Sequence, residues 1–140
     1  MSDARHERAL IDTSLLIDLA RVDSAALPRE LAVSAITLAE LAAGPHAAGD
    51  AGERARRQEV LQRTEATFEP LPFDAGAARA FGRLYAAVAE TGRRARGRRA
   101  VDLLIAATAL AAELPLYTSN PDDFAGLGGL LDVEAVDLRG

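Results

Sequence analysis

Short apolar runs recur along the chain and predict the strands of a sheet. The first predicted strand, Leu10–Asp12, overlaps the apolar run Ala9–Ile11 and ends on a carboxylate. A second apolar stretch covers residues 31–37, and two more follow at 114–118 and 133–138. In the last of these, apolar and polar residues alternate. A carboxylate at the end of a buried strand loses its hydration, so something must replace that water.

Segments with helical periodicity lie between these runs. The predicted helices cover about 14–20, 38–43, 49–68, 74–92 and 100–113. Because strands and helices alternate with short links, the sequence predicts an α/β fold with a central parallel sheet and helices on both faces. We expect a single domain over residues 1–140, with residues 1–7 frayed.

Composition narrows the class of protein. Apolar residues make up 49% of the chain and charged residues 26%, which is enough to build a core. Cysteine is absent, which excludes disulfides, thiolate nucleophiles and cysteine-based zinc sites. The longest apolar segment is shorter than the about 20 residues that a membrane helix needs, so we expect a cytoplasmic protein without membrane association.

Acidic and amide side chains follow the predicted strands. The carboxyl ends of parallel strands form one edge of a sheet, where ligands bind, so we expect these side chains to converge. Crowded carboxylates repel one another and favour a bound cation, and hard oxygen ligands suit Mg²⁺, with Mn²⁺ as a substitute. The residues concerned are Asp12, Glu40, Asp102, Asn120, Asp122 and Asp123.

Each acid also has a structural interpretation. Thr37 and Glu40 have the spacing of a capping box at a helix start. Asp102 would lie in the first turn of its helix, and Asp12 could cap the helix that follows it. The two aspartates after Pro121 fit an ordinary turn. Capping does not explain why separate segments all bring acids to one edge.

Four segments carry a resemblance to a known family. The stretches "LIDTSLLIDL", "VSAITLAELAAG", "AVDLLIAATAL" and "LPLYTSNPDDF" resemble, in order, the motifs of PIN-domain ribonucleases, specifically the VapC toxins of bacterial toxin-antitoxin pairs. The resemblance implies a three-layer α/β/α sandwich and metal-dependent endonucleolytic cleavage of RNA, with transfer or ribosomal RNA as substrate. It also implies a cognate VapB-type antitoxin and a homodimer.

The resemblance assigns the metal site to specific acids. The family's acids correspond to Asp12, Glu40 and Asp102, with Asp12 and Asp102 as direct ligands. Glu40 would bind a second ion or orient the attacking water. A fourth acidic position falls near Asn120, and Asp122 or Asp123 would assist.

Basic and polar residues supply candidate contacts to RNA. The net charge of −5 does not attract nucleic acid, so phosphate contacts must come from a local group of arginines. A solvated loop or a surface for a partner is an equally good interpretation of that group. The candidates are Arg93, Arg94, Arg96, Arg98 and Arg99, together with Thr13, Ser14, Thr118 and Asn120, which neighbour the acids.

A second class of function stays open. A PIN-like domain could keep its acids for folding or partner binding and no longer cleave RNA, acting as a protein-interaction module. A phosphoryl-transfer domain with a strand-end aspartate is disfavoured because the chain has no lysine. Neither His6 nor His46 falls at the acidic edge, so a metal-activated water is the expected nucleophile.

Overall fold

A four-stranded parallel sheet forms the centre of the protein. The computed structural model describes residues 6–139. The strands are β1 (Arg8–Ile11), β2 (Glu30–Ala32), β3 (Leu116–Thr118) and β4 (Val133–Ala135), in the order β2-β1-β3-β4. In the register, Leu10 pairs with Ala32 on one side and with Leu116 on the other. The predicted parallel sheet is therefore confirmed.

Five α-helices cover the sheet in the described part of the chain. They are α1 (Thr13–Ile17), α2 (Ala35–Ala43), α3 (Ala51–Thr67), α4 (Ala75–Glu90) and α5 (Arg98–Ala111). Within residues 6–139, none is both long and apolar enough to span a bilayer. Short 3-10 turns follow α1 at Leu19–Arg21 and β3 at Pro121–Phe124, so the predicted helix at 14–20 is interrupted after Ile17.

Successive side chains of β1 point to opposite faces of the sheet, so the core has two layers. Leu10 points into a cluster that includes Leu84 of α4 and Ile105 of α5. Its neighbours Ala9 and Ile11 point into a second cluster on the opposite face, which includes α1 and the inner side of α3. The predicted three-layer α/β/α sandwich is confirmed.

Two helix starts differ from the predicted ones, and both change how an acid is placed. Helix α2 begins at Ala35 with Ser34 as its N-cap, so the capping box starting at Thr37 is wrong. Ser34 is held there because its backbone bridges to Leu71 and its hydroxyl lies 3.0 Å from that of Thr108. Thr37 is thereby fully buried inside the helix and Glu40 lies beyond the first turn.

Helix α5 begins two residues earlier than predicted, at Arg98. Asp102 therefore lies in the second turn, and no acidic residue occupies the first turn. The favourable interaction with the helix dipole, which is confined to the first turn, does not account for Asp102. The N-cap is Gly97, whose φ of 54° places it in the left-handed region that glycine adopts without steric cost.

The expected fraying of residues 1–7 mostly concerns residues 1–5, which lie outside the described residues. His6 is described, and its Nε2 lies 2.9 Å from Asp132 Oδ2 and 3.5 Å from Glu134 Oε2. The Glu7 carbonyl accepts a hydrogen bond from the backbone N–H of Glu30. These contacts hold the entry to β1 at the amino edge of the sheet.

Replacing Leu84 by alanine should destabilise the layer that carries α5. Leu84 is fully buried between α4 and the core, and a large-to-small change at such a site costs about 2–5 kcal/mol. Urea denaturation should show this loss. Arg83→Ala, at the neighbouring exposed position, is the control and should change the free energy of unfolding by under about 0.5 kcal/mol. Equal effects of the two variants would contradict the assigned packing.

Candidate metal centre

Four acids from four segments gather at the carboxyl edge of the sheet. Asp12 directly follows β1 and Asp102 lies in α5, and their exposures are only 3% and 4%. Glu40, in α2, keeps 20% of its side chain exposed. Asp123 belongs to the 3-10 turn after β3 and is exposed. The set therefore has a buried floor and an open rim.

Two hydrogen bonds fix the Asp12 carboxylate. Its Oδ1 accepts from the backbone N–H of Leu15 at 2.9 Å, which makes Asp12 the N-cap of α1. Its Oδ2 accepts from the Thr118 hydroxyl at 2.6 Å, across the β1–β3 pair. Thr118 in turn accepts from the backbone N–H of Asn120 at 2.9 Å. The capping interpretation of Asp12 is correct, and a carboxylate still keeps free lone pairs for a cation.

A chain of hydroxyls fixes Glu40. The Thr13 hydroxyl donates to Glu40 Oε1 at 2.5 Å, and the Thr37 hydroxyl lies 2.9 Å from that of Thr13. Because the Thr13 proton points to Glu40, Thr37 must donate to Thr13. This role of Thr37 is not visible in the sequence, where Thr37 and Glu40 have the spacing of a helix cap.

Burial and mutual repulsion shape the titration of the two buried acids. Burial raises the pKa of the Asp12 carboxyl, against hydrogen bonds from Thr118 and Leu15 that lower it. Burial also raises the pKa of Asp102, to about 6, and the Arg98 charge opposes that rise. The negative charges of Asp123, Asp12 and Glu40 add to it. Contacts bring three of these acids together at one point: Arg98 touches both Glu40 and Asp102, and Thr13, next to Asp12, donates to Glu40.

Asp123 and Asp122 differ in their relation to this point. The charge of Asp123 is among the main causes of the raised pKa of both Asp12 and Asp102, whereas that of Asp122 is not. Both side chains are exposed, so burial does not distinguish them. The effect of its charge on both buried acids therefore favours Asp123 as the fourth acid. Asn120 is exposed, and the structure gives it a backbone bond to Thr118.

The carboxylates of Asp12, Glu40 and Asp102 do not all lie within 4.8 Å of one another. Across residues 6–139, one group of three histidine or carboxylate side chains has all its ligand atoms within 4.8 Å of each other: His6, Asp132 and Glu134, at the opposite edge of the sheet. In at least one pair among Asp12, Glu40 and Asp102, the carboxylate oxygens are therefore more than 4.8 Å apart. This spacing fits a divalent cation that retains several waters, as Mg²⁺ does.

One arginine of the predicted RNA-binding group reaches the acids. Arg98 Nη1 donates to Glu40 Oε2, and Arg98 Nε lies 3.5 Å from Asp102 Oδ1. The other four arginines of the group form no ion pair within residues 6–139. Three lie in the connection between α4 and α5, and the fourth is the second residue of α5: Arg93, Arg94, Arg96 and Arg99.

A cavity of about 550 Å³ opens beside Glu40. Its wall combines Thr13 and Ser14 of α1 with Arg57 of α3. Arg57 donates to the Gly44 carbonyl at 2.9 Å.

The sequence profile of the PIN domain family matches residues 9–130. Ribonuclease VapC5 of Mycobacterium tuberculosis is 41% identical over 130 residues, which cover 91% of this chain and 93% of that protein. The chain is a PIN-domain protein of the VapC type. The predicted family resemblance is confirmed.

Solved structures agree with this assignment. The PIN domain superposes on a crystal structure of the toxin-antitoxin system VapBC-5 from Mycobacterium tuberculosis with a TM-score of 0.80 and 41% identity, covering 95% of this chain and 100% of that one. FitAcB from Neisseria gonorrhoeae gives a TM-score of 0.69 at 23% identity, over 90% of this chain and 96% of that one. The second match is evidence for the shared fold alone.

The raised pKa of Asp102 predicts a pH dependence of stability in metal-free protein. The folded state holds this proton up to about pH 6, whereas an unfolded aspartate releases it near 3.8. The folded protein then binds more protons between these values, so stability falls as pH rises through this window, by about 2 kcal/mol.

Urea denaturation of chelator-treated protein between pH 4 and pH 7 measures this effect. Asp102→Asn is the matched control, because it removes the titrating group at nearly constant volume. The wild type should lose stability more steeply than the variant over this interval. Parallel curves for the two proteins would contradict the raised pKa.

Proposed function

We propose that this PIN domain is a metal-dependent endoribonuclease and the toxin of a type II toxin-antitoxin pair. The observation that carries the proposal is the meeting of Asp12, Glu40 and Asp102 at one edge of the sheet. Arg98 contacts both Glu40 and Asp102, and Thr13, the residue after Asp12, donates to Glu40. The 41% identity to a protein named as a ribonuclease supports the same activity.

Asp12 and Asp102 would be the direct ligands of the metal, with Glu40 binding a second ion or orienting the attacking water. Mg²⁺ is the proposed ion, and Mn²⁺ a substitute, because the donors are hard oxygens and cysteine is absent. A bound divalent cation supplies acidification of water and neutralisation of the charge that develops on the phosphate.

The chain's own groups would orient the ligands and the substrate. Thr118 and the Leu15 N–H fix the rotamer of Asp12, and Thr13 fixes that of Glu40. Such outer contacts typically contribute 10- to 100-fold to metal affinity or activity. Asp123 would assist from the rim.

RNA would approach over the exposed arginines. They precede Asp102 along the chain, and Arg98 is ion-paired with it, so the group would bring positive charge to the acidic edge of a chain that is acidic overall. Transfer or ribosomal RNA is the proposed substrate class, on the family resemblance. The proposed contacts are Arg93, Arg94, Arg96, Arg98 and Arg99, with Thr13, Ser14, Thr118 and Asn120 beside the acids.

A VapB-type antitoxin is the proposed partner. The VapBC-5 structure that this chain resembles is that of a toxin-antitoxin system. The cavity beside Glu40 offers an apolar wall of Ile17, Leu41 and Val60, and Ile17 is 53% exposed. These features suit a partner that covers the site. On the family resemblance, the protein would also be a cytoplasmic homodimer, and each of its chains would be a single domain.

Asp12→Asn should abolish RNA cleavage while the fold is retained. The asparagine oxygen can still accept from Leu15 N–H and cap α1, but the ligand charge is lost. We expect activity on transfer and ribosomal RNA to fall at least about 100-fold, and chelator to abolish wild-type cleavage. A gel assay with Mg²⁺ or Mn²⁺, and circular dichroism for the fold, provide the measurements.

Full activity of Asp12→Asn would refute the assigned centre. If the folded wild type cleaved no RNA with either ion yet bound its antitoxin, the domain would instead be the catalytically degenerate interaction module.

The two aspartates of the 3-10 turn provide a matched pair. Asp123→Asn should reduce cleavage by roughly 10-fold or more, because its charge acts on both buried acids. Asp122→Asn removes the same charge one residue away and should leave the rate within about twofold. Kinetics at saturating Mg²⁺ compare the variants. A larger loss from the change at residue 122 would reverse the assignment of the fourth acid.

A further inference from the structure

Arg98 joins two acids that come from different helices. Its Nη1 donates to Glu40 Oε2 in α2, and its Nε lies 3.5 Å from Oδ1 of Asp102 in α5. An ordinary helix-surface pair would involve only the residue four positions away. The planar guanidinium instead lies between the two carboxylates, hydrogen-bonded to Glu40 and ion-paired with Asp102.

The bridge occupies the oxygen of Glu40 that the hydroxyl chain leaves free. Oε1 of Glu40 is engaged by Thr13, and Oε2 is engaged by Arg98. A divalent cation bound by Asp102, with Glu40 holding its water or a second ion, would use the same two carboxylates that the guanidinium engages. Metal and arginine therefore compete for the same negative charges.

The positive charge of Arg98 compensates for the burial of the acids. It lowers the pKa of Asp102 and of Asp12, in both cases against the effect of desolvation. It thus does electrostatically what a bound cation would do.

Arg98 is also placed so that it can leave. Its side chain is 55% exposed, so departure uncovers little apolar surface. It is the first residue of α5, and the N-cap Gly97 makes no side-chain hydrogen bond that would stabilise the first turn. By contrast, Asp102 and Thr13 are buried and fixed.

We propose that Arg98 is an internal substitute for the divalent cation, which neutralises Glu40 and Asp102 in the metal-free protein and must leave them before the metal binds. The inference rests on the metal centre proposed above and adds its regulation: the free toxin has a self-blocked site that metal opens. The released guanidinium then lies beside the site, where an RNA phosphate would be bound.

Mn²⁺ affinity measured by isothermal titration calorimetry tests this proposal. Chelator-treated wild type, Arg98→Gln and Arg96→Gln are titrated at one fixed ionic strength. Arg96→Gln is the matched control. It also removes one positive charge, two residues from Arg98, but the Arg96 side chain pairs with no described acid. We expect Arg98→Gln to bind Mn²⁺ roughly fivefold more tightly than Arg96→Gln.

The outcomes separate this inference from the function on which it rests. If wild type binds Mn²⁺ and the two variants bind it equally, the role of Arg98 is refuted while the metal centre stands. Weaker binding by Arg98→Gln would also refute that role, because Arg98 would then support the ion. If none of the proteins binds Mn²⁺, the metal centre fails and the inference fails with it.

Thermal unfolding gives a second readout. Without metal, Arg98→Gln should melt below Arg96→Gln, because Glu40 and Asp102 then repel each other uncompensated. Saturating Mn²⁺ should raise its melting temperature by more than it raises that of the control. Equal increments in the two variants would overturn the proposal.

Wild-type protein provides a test that needs no folded variant at residue 98. The Nε–Hε resonance of Arg98, assigned by residue-selective labelling, is followed by NMR during titration with diamagnetic Mg²⁺. We expect it to shift towards the position of solvent-exposed arginines as the ion saturates. A resonance that stays in place at saturation would show that the bridge persists and would overturn the inference.

Discussion

Burying a carboxylate at the end of a parallel strand is the constraint on which the rest of this structure depends. Asp12 and Asp102 lose nearly all contact with water, and neither loss is fully compensated, because both carboxyls hold their protons more tightly than usual. A fold under stability constraint alone would place apolar side chains there. The retained charge is a cost to folding that a cation removes, which links the stability of the domain to its chemistry.

The way in which the acids are held preserves that charge. Thr13, Thr37 and Thr118 orient the carboxylates through neutral hydroxyls, so geometry is fixed without a permanent counter-charge. All three are at most 4% exposed. Arg98 is the one basic side chain shown to pair with this set among residues 6–139, and it is the exposed member. Buried hydroxyl groups thus orient the carboxylates, whereas the exposed Arg98 side chain neutralises their charge.

Sequence reasoning predicted the parts of the fold that depend on periodicity and failed where two local signals compete. The strands and helices follow from alternation and helical spacing, and the convergence of the acids follows from parallel strands. The start of α2 could not be predicted, because Ser34 and Thr37 are both good caps and the choice is made by distant contacts with Leu71 and Thr108. The bridge from Arg98 was missed for a similar reason: Glu40 is 58 residues away, and no local pattern encodes that approach.

The contacts of His6 have a practical consequence for experiments on this domain. The chain enters β1 at the edge of the sheet that faces away from the acids, where Asp132 and Glu134 hold it. By contrast, β4 runs towards the acidic edge, and the backbone of Arg139 is hydrogen-bonded to that of Arg21, just beyond α1. An affinity tag or fluorophore joined upstream of His6 would therefore leave the approach to the acids open, while one joined downstream of Arg139 would share their side of the molecule.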